Sequence, residues 1–289
     1  VFGWLAGWCV QPIVLVAQIG FTAPAATWAW PARPASLAVL TIGCLLIAEV
    51  ILPRVLPRRG LAIGLAVLLV IGAFREPPQP GWPGDWTVVA CDVGQGGAQL
   101  IRTGAQSAIL VDTGPDPDAL ARCLTSVGVT EIPLLVITHS HADHTAGLPG
   151  VAGRLPVTMV LVGPSISDSP NSPLAMVGLP TPTSTAAGDV VQLGSVRWTT
   201  LAAGPVIGML ASTGPEDAIA NDSGVVGLIE TPALRVLVTG DIEIAGQQAL
   251  VASGADLRAD VLVVPHHGSA KQEPTFLKAV AAPIALVQV

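Results

Sequence analysis

The chain has 289 residues, of which 51% are hydrophobic and 11% are charged, and its formal net charge at pH 7 is −7. This length suits one large domain or two smaller units. Residues 1–77 hold five Arg and two acidic residues, whereas residues 78–289 hold eight basic and 18 acidic residues, about −10 by that count. This distribution of charge argues against a broad basic surface on residues 78–289. Together with the apolar composition of residues 1–77, it favours a membrane portion joined to a soluble one.

Three apolar runs stand in the first part of the chain, at residues 1–21, 35–52 and 60–74. Their flanks carry Pro or Arg, and the second run is near the length that crosses a hydrocarbon core about 30 Å thick. The pattern predicts transmembrane α-helices within residues 1–77. Glu49 lies inside the second run, where we expect it to face a helix bundle rather than lipid.

The short loop 53–59 carries three Arg, which places it in the cytoplasm by the positive-inside rule. One further crossing puts the rest of the chain on the outer face of the cytoplasmic membrane. Residues 78–85 read as a linker because they are rich in Pro and Gly. We also expect the chain to be a fragment of a longer protein, since it begins at Val1 rather than Met.

The four cysteines show neither CxxC spacing nor an obvious pairing. They stand at Cys9, Cys44, Cys91 and Cys123. We therefore predict no disulfide framework and no thiolate metal site, and we expect all four to be small core residues.

From Trp86 onward, short β-branched runs alternate with helix-like stretches at 117–127, 243–253 and 273–281. This alternation, with turns rich in Gly, Asp and Pro, predicts an α/β sandwich. Residues 164–188 are rich in Pro, Ser and Thr and are expected to form a long surface loop.

The stretch "THSHADHTAG" (138–147) holds three of the five histidines and an aspartate directly after an apolar run. Four donors in one turn suit two metal ions better than one closed cage, and imidazole with carboxylate favours Zn²⁺ or Mn²⁺. The donors are His139, His141, Asp143 and His144. The sequence therefore predicts a metal site here.

Other candidate donors also follow apolar strands, whose ends meet at one edge of an α/β fold. Asp241 would bridge the two ions, and the pair His266–His267 would supply a further imidazole. Asp112 either orients a ligand imidazole or forms a turn. The residues Asn221, Asp222 and Ser223 belong either to the site or to an ordinary loop, and Asp92 and Gln95 are read as turn residues.

The motif "HSHADH", with "VDTG" before it and "TGD" and "HHGS" after it, resembles the signature of the metallo-β-lactamase superfamily. More narrowly, "DVGQGG…AILVDTG…THSHADHTAGL…NDSG…LVTGD…DVLVVPHHGS" is similar to the C-terminal domain of ComEC-type DNA-uptake (competence) proteins. The resemblance implies an αβ/βα sandwich over 86–289, truncated at its C-terminus and preceded by the end of a channel domain.

The resemblance also assigns site residues. It implies metal ligands at His139, His141, Asp143, His144, Asp241 and one of His266 and His267, of which we favour His267 because Gly268 leaves room for its ring. Two departures stand out. No further His lies between "HSHADH" and "TGD", so Asn221, Asp222 and Ser223 are candidates for that position, and Gly97 replaces the usual Asp of "GQGD".

The function that this resemblance implies is a multi-pass DNA-uptake protein of natural transformation. Its outer domain would hydrolyse phosphodiesters of the non-imported DNA strand with two divalent ions, with Asp143 and Asp241 as catalytic residues. Expected partners are single-stranded DNA, the membrane and other competence proteins. Two alternatives remain: a channel with a non-catalytic metal domain, and a membrane-tethered metallo-hydrolase of small esters.

Overall fold

The computed structural model describes residues 34–55, 57, 58, 60, 63, 64, 67, 84–167, 178–204 and 216–288. The chain divides into two compact units, Val1–Gly81 and Trp82–Val289.

The first unit contains consecutive helical segments: α1 (Pro34–Leu46), a π-helical segment (Ile47–Ile51) that includes Glu49, and α2 (Leu52–Val55). Among the described residues, no helix combines the length and the hydropathy needed to cross a membrane. The predicted span at 1–21 lies outside the described residues, and so does most of the span at 60–74.

The second unit begins with a six-stranded sheet in chain order, antiparallel across its first three strands and parallel from β3 to β6. Its strands are β1 (Val88–Ala90), β2 (Gln99–Arg102), β3 (Ser107–Val111), β4 (Glu131–Ile137), β5 (Val157–Val162) and β6 (Thr183–Ser184).

A second six-stranded sheet mirrors this arrangement, antiparallel from β7 to β10 and parallel from β10 to β12. Its strands are β7 (Val190–Leu193), β8 (Val196–Ala202), β9 (Val226–Glu230), β10 (Arg235–Val238), β11 (Val261–Val263) and β12 (Ile284–Leu286).

The two sheets pack face to face, and helices cover their outer faces. Strand β3 shows why: all its residues are buried, with Ile109 and Val111 in the core between the sheets and Leu110 in the core under the helix of 117–127. A strand buried on both faces reads as a continuous apolar run rather than an alternating one. The predicted αβ/βα sandwich is confirmed.

Six α-helices are described in this unit, and the first occupies the predicted 117–127. They are α3 (Pro117–Val127), α4 (Ala142–Thr145), α5 (Pro164–Ser167), α6 (Glu216–Asp222), α7 (Ile244–Ala252) and α8 (Pro274–Val280). The carboxylate of Asp116 caps the first turn of α3, and Gly128 ends that helix with φ 75°. The predicted loop 164–188 includes α5 and β6, and its residues 168–177 lie outside the described residues.

Cys91 and Cys123 form a disulfide, with their Cα atoms 5.7 Å apart across 32 residues of sequence. The prediction that no cysteines pair was wrong. Packing of α3 on the outer face of the first sheet brings Cys123 to the end of β1, and spacing along the chain does not report that contact. Cys91 is a buried core residue and Cys123 packs against that core, as predicted. Cys44 is free and exposed, so it is not a core residue, and Cys9 lies outside the described residues.

Candidate metal centre

The candidate donors lie where strands of both sheets end on the same side of the sandwich. Asp112 follows β3, and the turn that begins at Thr138 follows β4, which is the parallel neighbour of β3. On the other sheet, Asp241 follows β10 and the His266–His267 pair follows β11. Since the carboxyl ends of parallel neighbours share one edge, donors from distant parts of the sequence converge there.

At Gly240, next to Asp241, the backbone after β10 packs against the side chain of Thr138 after β4. Gly240 has φ 52°, and a Cβ on it would lie 2.8 Å from Cβ of Thr138. A larger residue would therefore meet both backbone strain and a clash. Glycine at this position lets the end of β10 deliver Asp241 to the turn after β4.

Two groups of donors meet at this edge, and within each group the ligand atoms lie within 4.8 Å of one another. Cluster A consists of Asp143, His144, Asp241 and His267. Cluster B consists of His139, His141 and Asp143. Asp143 belongs to both clusters, so the sites they define are adjacent.

The separations in cluster A fit one bound ion. Nε2 of His144 lies 3.2 Å from Oδ1 of Asp241 and 3.3 Å from Nε2 of His267. Nε2 of His267 lies 3.4 Å from Oδ2 of Asp143. Tetrahedral zinc with bonds of about 2.0–2.2 Å separates neighbouring ligand atoms by about 3.3–3.6 Å. The donor set of two imidazoles and two carboxylates therefore suits a divalent ion in both chemistry and spacing.

The donor atoms of cluster B also lie close to one another and to Asp241 of cluster A. Nε2 of His139 lies 3.1 Å from Nδ1 of His141 and 3.9 Å from Oδ2 of Asp241. Burial lowers the pKa of His139 to about 3, so its ring is neutral and able to bind a metal. Asp241, a member of cluster A, therefore also lies next to cluster B, with one oxygen toward His144 and the other toward His139.

The Asp241 carboxylate stays ionised although only 3% of the residue is exposed. Burial alone would raise the pKa of this carboxyl, but hydrogen bonds from His144 and His267 hold it well below its usual range. A buried carboxylate with imidazoles on several sides is the arrangement expected of a bridging ligand.

Asp112 lies behind His144 rather than in either cluster. Its Oδ2 is 2.8 Å from Nδ1 of His144 and accepts the hydroxyl of Thr138 at 2.7 Å, while its Oδ1 accepts the backbone N–H of Thr138. Burial would lower the pKa of His144, but Asp112 and Asp241 raise it to about 10. Asp112 therefore fixes the orientation of the His144 ring, and it also has the positive φ of a turn residue (57°).

His267 is held by Gln288, which lies 21 residues further along the chain. Its Nδ1 lies 3.2 Å from the backbone oxygen of Gln288, whose side chain donates to the carbonyls of Cys91 and Ala98 at 3.0 and 3.1 Å. A hydrogen bond to Asp143 and another to Asp241 raise the pKa of His267 to about 9. Gln288 therefore links the first sheet to a ring of cluster A, a role that no sequence pattern indicated.

The Asn221–Asp222–Ser223 element lies outside both clusters. Oδ1 of Asp222 accepts the backbone N–H groups of Glu243 at 2.7 Å and Gly246 at 3.0 Å, at the start of α7. Nδ2 of Asn221 donates to Glu243 at 3.3 Å, while its Oδ1 is buried without a hydrogen-bond partner. Ser223 is buried, and its backbone groups bond to Ile219 and Gly204.

His266 points away from His267, toward Glu243. Its Nδ1 lies 3.3 Å from Oε1 of Glu243, an ion-pair distance without hydrogen-bond geometry, and its Nε2 lies 4.0 Å from Oδ2 of Asp241. Of the two adjacent histidines, the structure brings His267 into cluster A and leaves His266 at its border. Sequence reasoning missed Glu243 and its partner Lys271, although both stand within four residues of a predicted ligand.

Gly97, which replaces the Asp that the resemblance leads one to expect, touches the site. A Cβ on Gly97 would lie 3.2 Å from both Cε1 and Nδ1 of His144. The backbone N–H of Gly97 donates to the carbonyl of Asp143. The turn containing Gly97 therefore packs directly on the ring of a cluster A histidine.

Comparison with known proteins gives a family and relatives. Residues 91–288 match the model of the family described as the metallo-beta-lactamase superfamily. A curated relative, ComE operon protein 3 of Bacillus subtilis (strain 168), is 24% identical over 259 residues. That match covers 82% of this chain and 32% of the relative, so the chain spans about a third of the length of that protein.

Two solved structures match part of the chain at low sequence identity. MEM-A1, a subclass B3 metallo-beta-lactamase from a soil metagenome library, is 18% identical with a TM-score of 0.46, over 65% of this chain and 80% of that one. The metallo-beta-lactamase fold protein YhfI from Bacillus subtilis is 14% identical with a TM-score of 0.46, over 71% of this chain and 89% of that one.

Proposed function

Because the chain belongs to the metallo-beta-lactamase superfamily, whose fold is that of metal-dependent hydrolases, we propose that it hydrolyses DNA phosphodiesters with two divalent ions, Zn²⁺ or Mn²⁺. The observation that carries the proposal is the convergence of four cluster A ligand atoms at the spacing of one bound ion, beside cluster B. Asp143 belongs to both clusters, and Asp241 of cluster A also has one oxygen 3.9 Å from Nε2 of His139 in cluster B.

Bound at both clusters, the ions would supply Lewis-acid activation of water and of a phosphoryl oxygen. The contribution of the protein is to hold the ligands. Asp112 fixes the ring of His144, the backbone of Gln288 fixes His267, and the hydroxyl of Thr138 lies 3.1 Å from Nδ1 of His139. Such outer contacts set the tautomer and orientation of each ligand imidazole.

We assign this hydrolase domain to a DNA-uptake protein, in which it would degrade the strand that is not imported. The motif strings that resemble ComEC-type proteins support this assignment, as does the match to ComE operon protein 3. Single-stranded DNA and other competence proteins would be its partners.

We also propose a membrane location, with the hydrolase domain on the outer face of the cytoplasmic membrane. Exposed apolar side chains on α1 support contact with lipid; they include Val39, Ile42, Leu45 and Leu46. The disulfide between Cys91 and Cys123 supports the outer face, because disulfides persist in oxidising compartments and are rare in the cytosol.

The test is a substrate panel on the full chain loaded with Mn²⁺ or Zn²⁺: single-stranded DNA, double-stranded DNA and a thioester. We expect cleavage of single-stranded DNA by the parent, loss of cleavage in Asp241→Asn, and no loss in the control Asp85→Asn, which changes an exposed aspartate. Bound metal with no cleavage of any substrate would favour a structural metal domain. Cleavage of the thioester alone would favour a small-ester hydrolase.

A further inference from the structure

An open cavity of 510 Å³ adjoins the two clusters. His141, Asp143 and Asp241 line it on the metal side, and Asn221, Glu243 and Lys271 also line it. We propose that Lys271 and Asn221 form a subsite for the nucleotide next to the scissile phosphodiester. In it, Nζ of Lys271 binds an oxygen of the neighbouring phosphate, and Oδ1 of Asn221 accepts a hydrogen bond from that nucleotide. The inference rests on the proposed function, because it names the part of the substrate that this wall binds.

Glu243 fixes the position of the Lys271 ammonium. Nζ of Lys271 lies 2.7 Å from each carboxylate oxygen of Glu243. Glu243 is 8% exposed and is held in turn by Nδ2 of Asn221 and, through its backbone N–H, by Asp222. The ammonium is therefore anchored to a rigid element rather than free on a long side chain.

Lys271 still has donor capacity for a ligand. An ammonium has three N–H donors, and Glu243 accounts for two contacts. The Lys271 side chain is 54% exposed, so the remaining donor is open to an incoming group. Among the described residues that line the cavity, Lys271 is the one with a lysine or arginine side chain, so an anionic group that enters beside the metal site meets its cation there.

Asn221 supplies an independent sign that a ligand belongs here. The residue is 3% exposed and lines the cavity, and its Oδ1 is buried without a hydrogen-bond partner. Leaving such an acceptor unpaired costs free energy, which a donor on the ligand would recover. A nucleotide offers both required groups, an anionic phosphate oxygen for Lys271 and an N–H or O–H donor for Asn221.

The arrangement also predicts selectivity by substrate length. A substrate with a single phosphodiester would reach the clusters without needing Lys271, whereas an oligonucleotide carries a second phosphate for the subsite. The domain is acidic overall, so one anchored lysine makes a measurable difference to oligonucleotide binding.

The test measures binding and cleavage separately on the metal-loaded full chain. Binding of a fluorescein-labelled single-stranded phosphorothioate 12-mer is followed by anisotropy between 50 and 300 mM KCl, and hydrolysis is followed with bis(p-nitrophenyl) phosphate and with single-stranded DNA. Lys271→Gln is compared with Lys271→Arg and with the control Lys278→Gln, which removes an exposed charge on α8. Melting temperatures establish that each variant is folded.

We expect Lys271→Gln to weaken oligonucleotide binding about tenfold and to reduce the slope of log Kd against log salt by about 0.7. Lys271→Gln should reduce cleavage of single-stranded DNA by a larger factor than hydrolysis of bis(p-nitrophenyl) phosphate, and Lys271→Arg should bind like the parent. Lys278→Gln should leave the binding slope unchanged.

The possible failures are distinguishable. If Lys271→Gln binds the 12-mer as the parent does, or loses bis(p-nitrophenyl) phosphate hydrolysis equally, the subsite is refuted whether or not DNA is cleaved. If the parent binds the 12-mer through Lys271 but cleaves no DNA, the proposed function fails and the subsite stands. If the parent does not bind the 12-mer, the subsite is refuted, and the cleavage of single-stranded DNA decides the proposed function separately.

Discussion

Asp112 and His144 are joined by a contact of 2.8 Å between Oδ2 and Nδ1, although 32 residues separate them in sequence. The same carboxylate also accepts two hydrogen bonds from Thr138, at the start of the turn that carries His139 and His141. The end of β3 therefore sets the orientation of a cluster A ring and the start of the motif after β4. This contact makes the metal centre sensitive to a residue that belongs to neither cluster.

Replacing Asp112 by Asn should weaken metal binding at cluster A by about 10- to 100-fold, because outer contacts of this kind orient ligand imidazoles. The pKa of His144 should fall as well, since the Asp112 charge helps to raise it. Calorimetric titration with Zn²⁺ measures the affinity, and NMR of the histidine rings follows the pKa. An affinity equal to that of the parent would show that Asp112 is only a turn residue.

Replacing Asp241 by Asn should reduce hydrolysis by about 100-fold or more while the fold survives. Asn retains the shape and one acceptor oxygen but lacks the charge that His144, His267 and His139 surround. Turnover of single-stranded DNA across a Mn²⁺ and Zn²⁺ series, beside metal content and melting temperature, checks this. Cleavage at the parent rate by a folded variant would refute the mechanism.

Replacing Asp222 by Ala should destabilise the domain more than it alters metal content. Its Oδ1 caps the start of α7 through two backbone N–H groups, and loss of such a cap costs about 0.5–2 kcal/mol. Urea unfolding with and without metal gives the free energy of unfolding, and elemental analysis gives the stoichiometry. Loss of one metal equivalent at unchanged metal-free stability would instead make Asp222 a ligand.

Metal binding should release protons at neutral pH. In the metal-free protein, the pKa of His144 is about 10 and that of His267 is about 9, so both rings carry an additional proton at pH 7. An imidazole must lose that proton to bind a metal, so cluster A should release about two protons and bind more tightly as pH rises toward 9. Calorimetry at pH 7 in buffers of different ionisation enthalpy counts the protons. A count of zero would show that His144 and His267 are already neutral before the ion binds.

The turn and strand pattern predicted much of the fold and most of the donors that converge at one edge, whereas long-range partners were not predictable. Donors such as His139 and Asp241 stand next to apolar strands, and strand ends converge by geometry alone. The pairing of Cys91 with Cys123 depends on how α3 packs, and the contact of Gln288 with His267 depends on how β12 completes its sheet. Asn221 and Asp222 are adjacent and similar in size. The position of α7 makes Asn221 a hydrogen-bond donor to the Glu243 side chain and makes Asp222 an acceptor of backbone N–H groups at the start of that helix.

A reporter fused after residue 90 should be active outside the cytoplasm if the orientation that the Arg-rich loop 53–59 predicts is correct. Alkaline phosphatase, which is active outside the cytoplasm, is compared with a reporter that is active only in the cytosol, fused at the same position. Activity of the cytosolic reporter alone would overturn the orientation.

In the full chain, maleimide should label Cys91 and Cys123 only after reduction, because the two form a disulfide.

The turn after β11 contains three successive residues in the left-handed region: His266 (φ 48°), His267 (φ 53°) and Gly268 (φ 75°). For a residue other than glycine this conformation costs about 1–2 kcal/mol, and it persists only where the surroundings enforce it. It also turns the two rings toward different neighbours, His267 to Asp143 and His266 to Glu243. These contacts of the two rings hold the turn, and an ion bound by His267 would hold it further. Loss of the ion should let residues 266–268 relax first, so their amide hydrogen exchange would report metal occupancy before any loss of global structure.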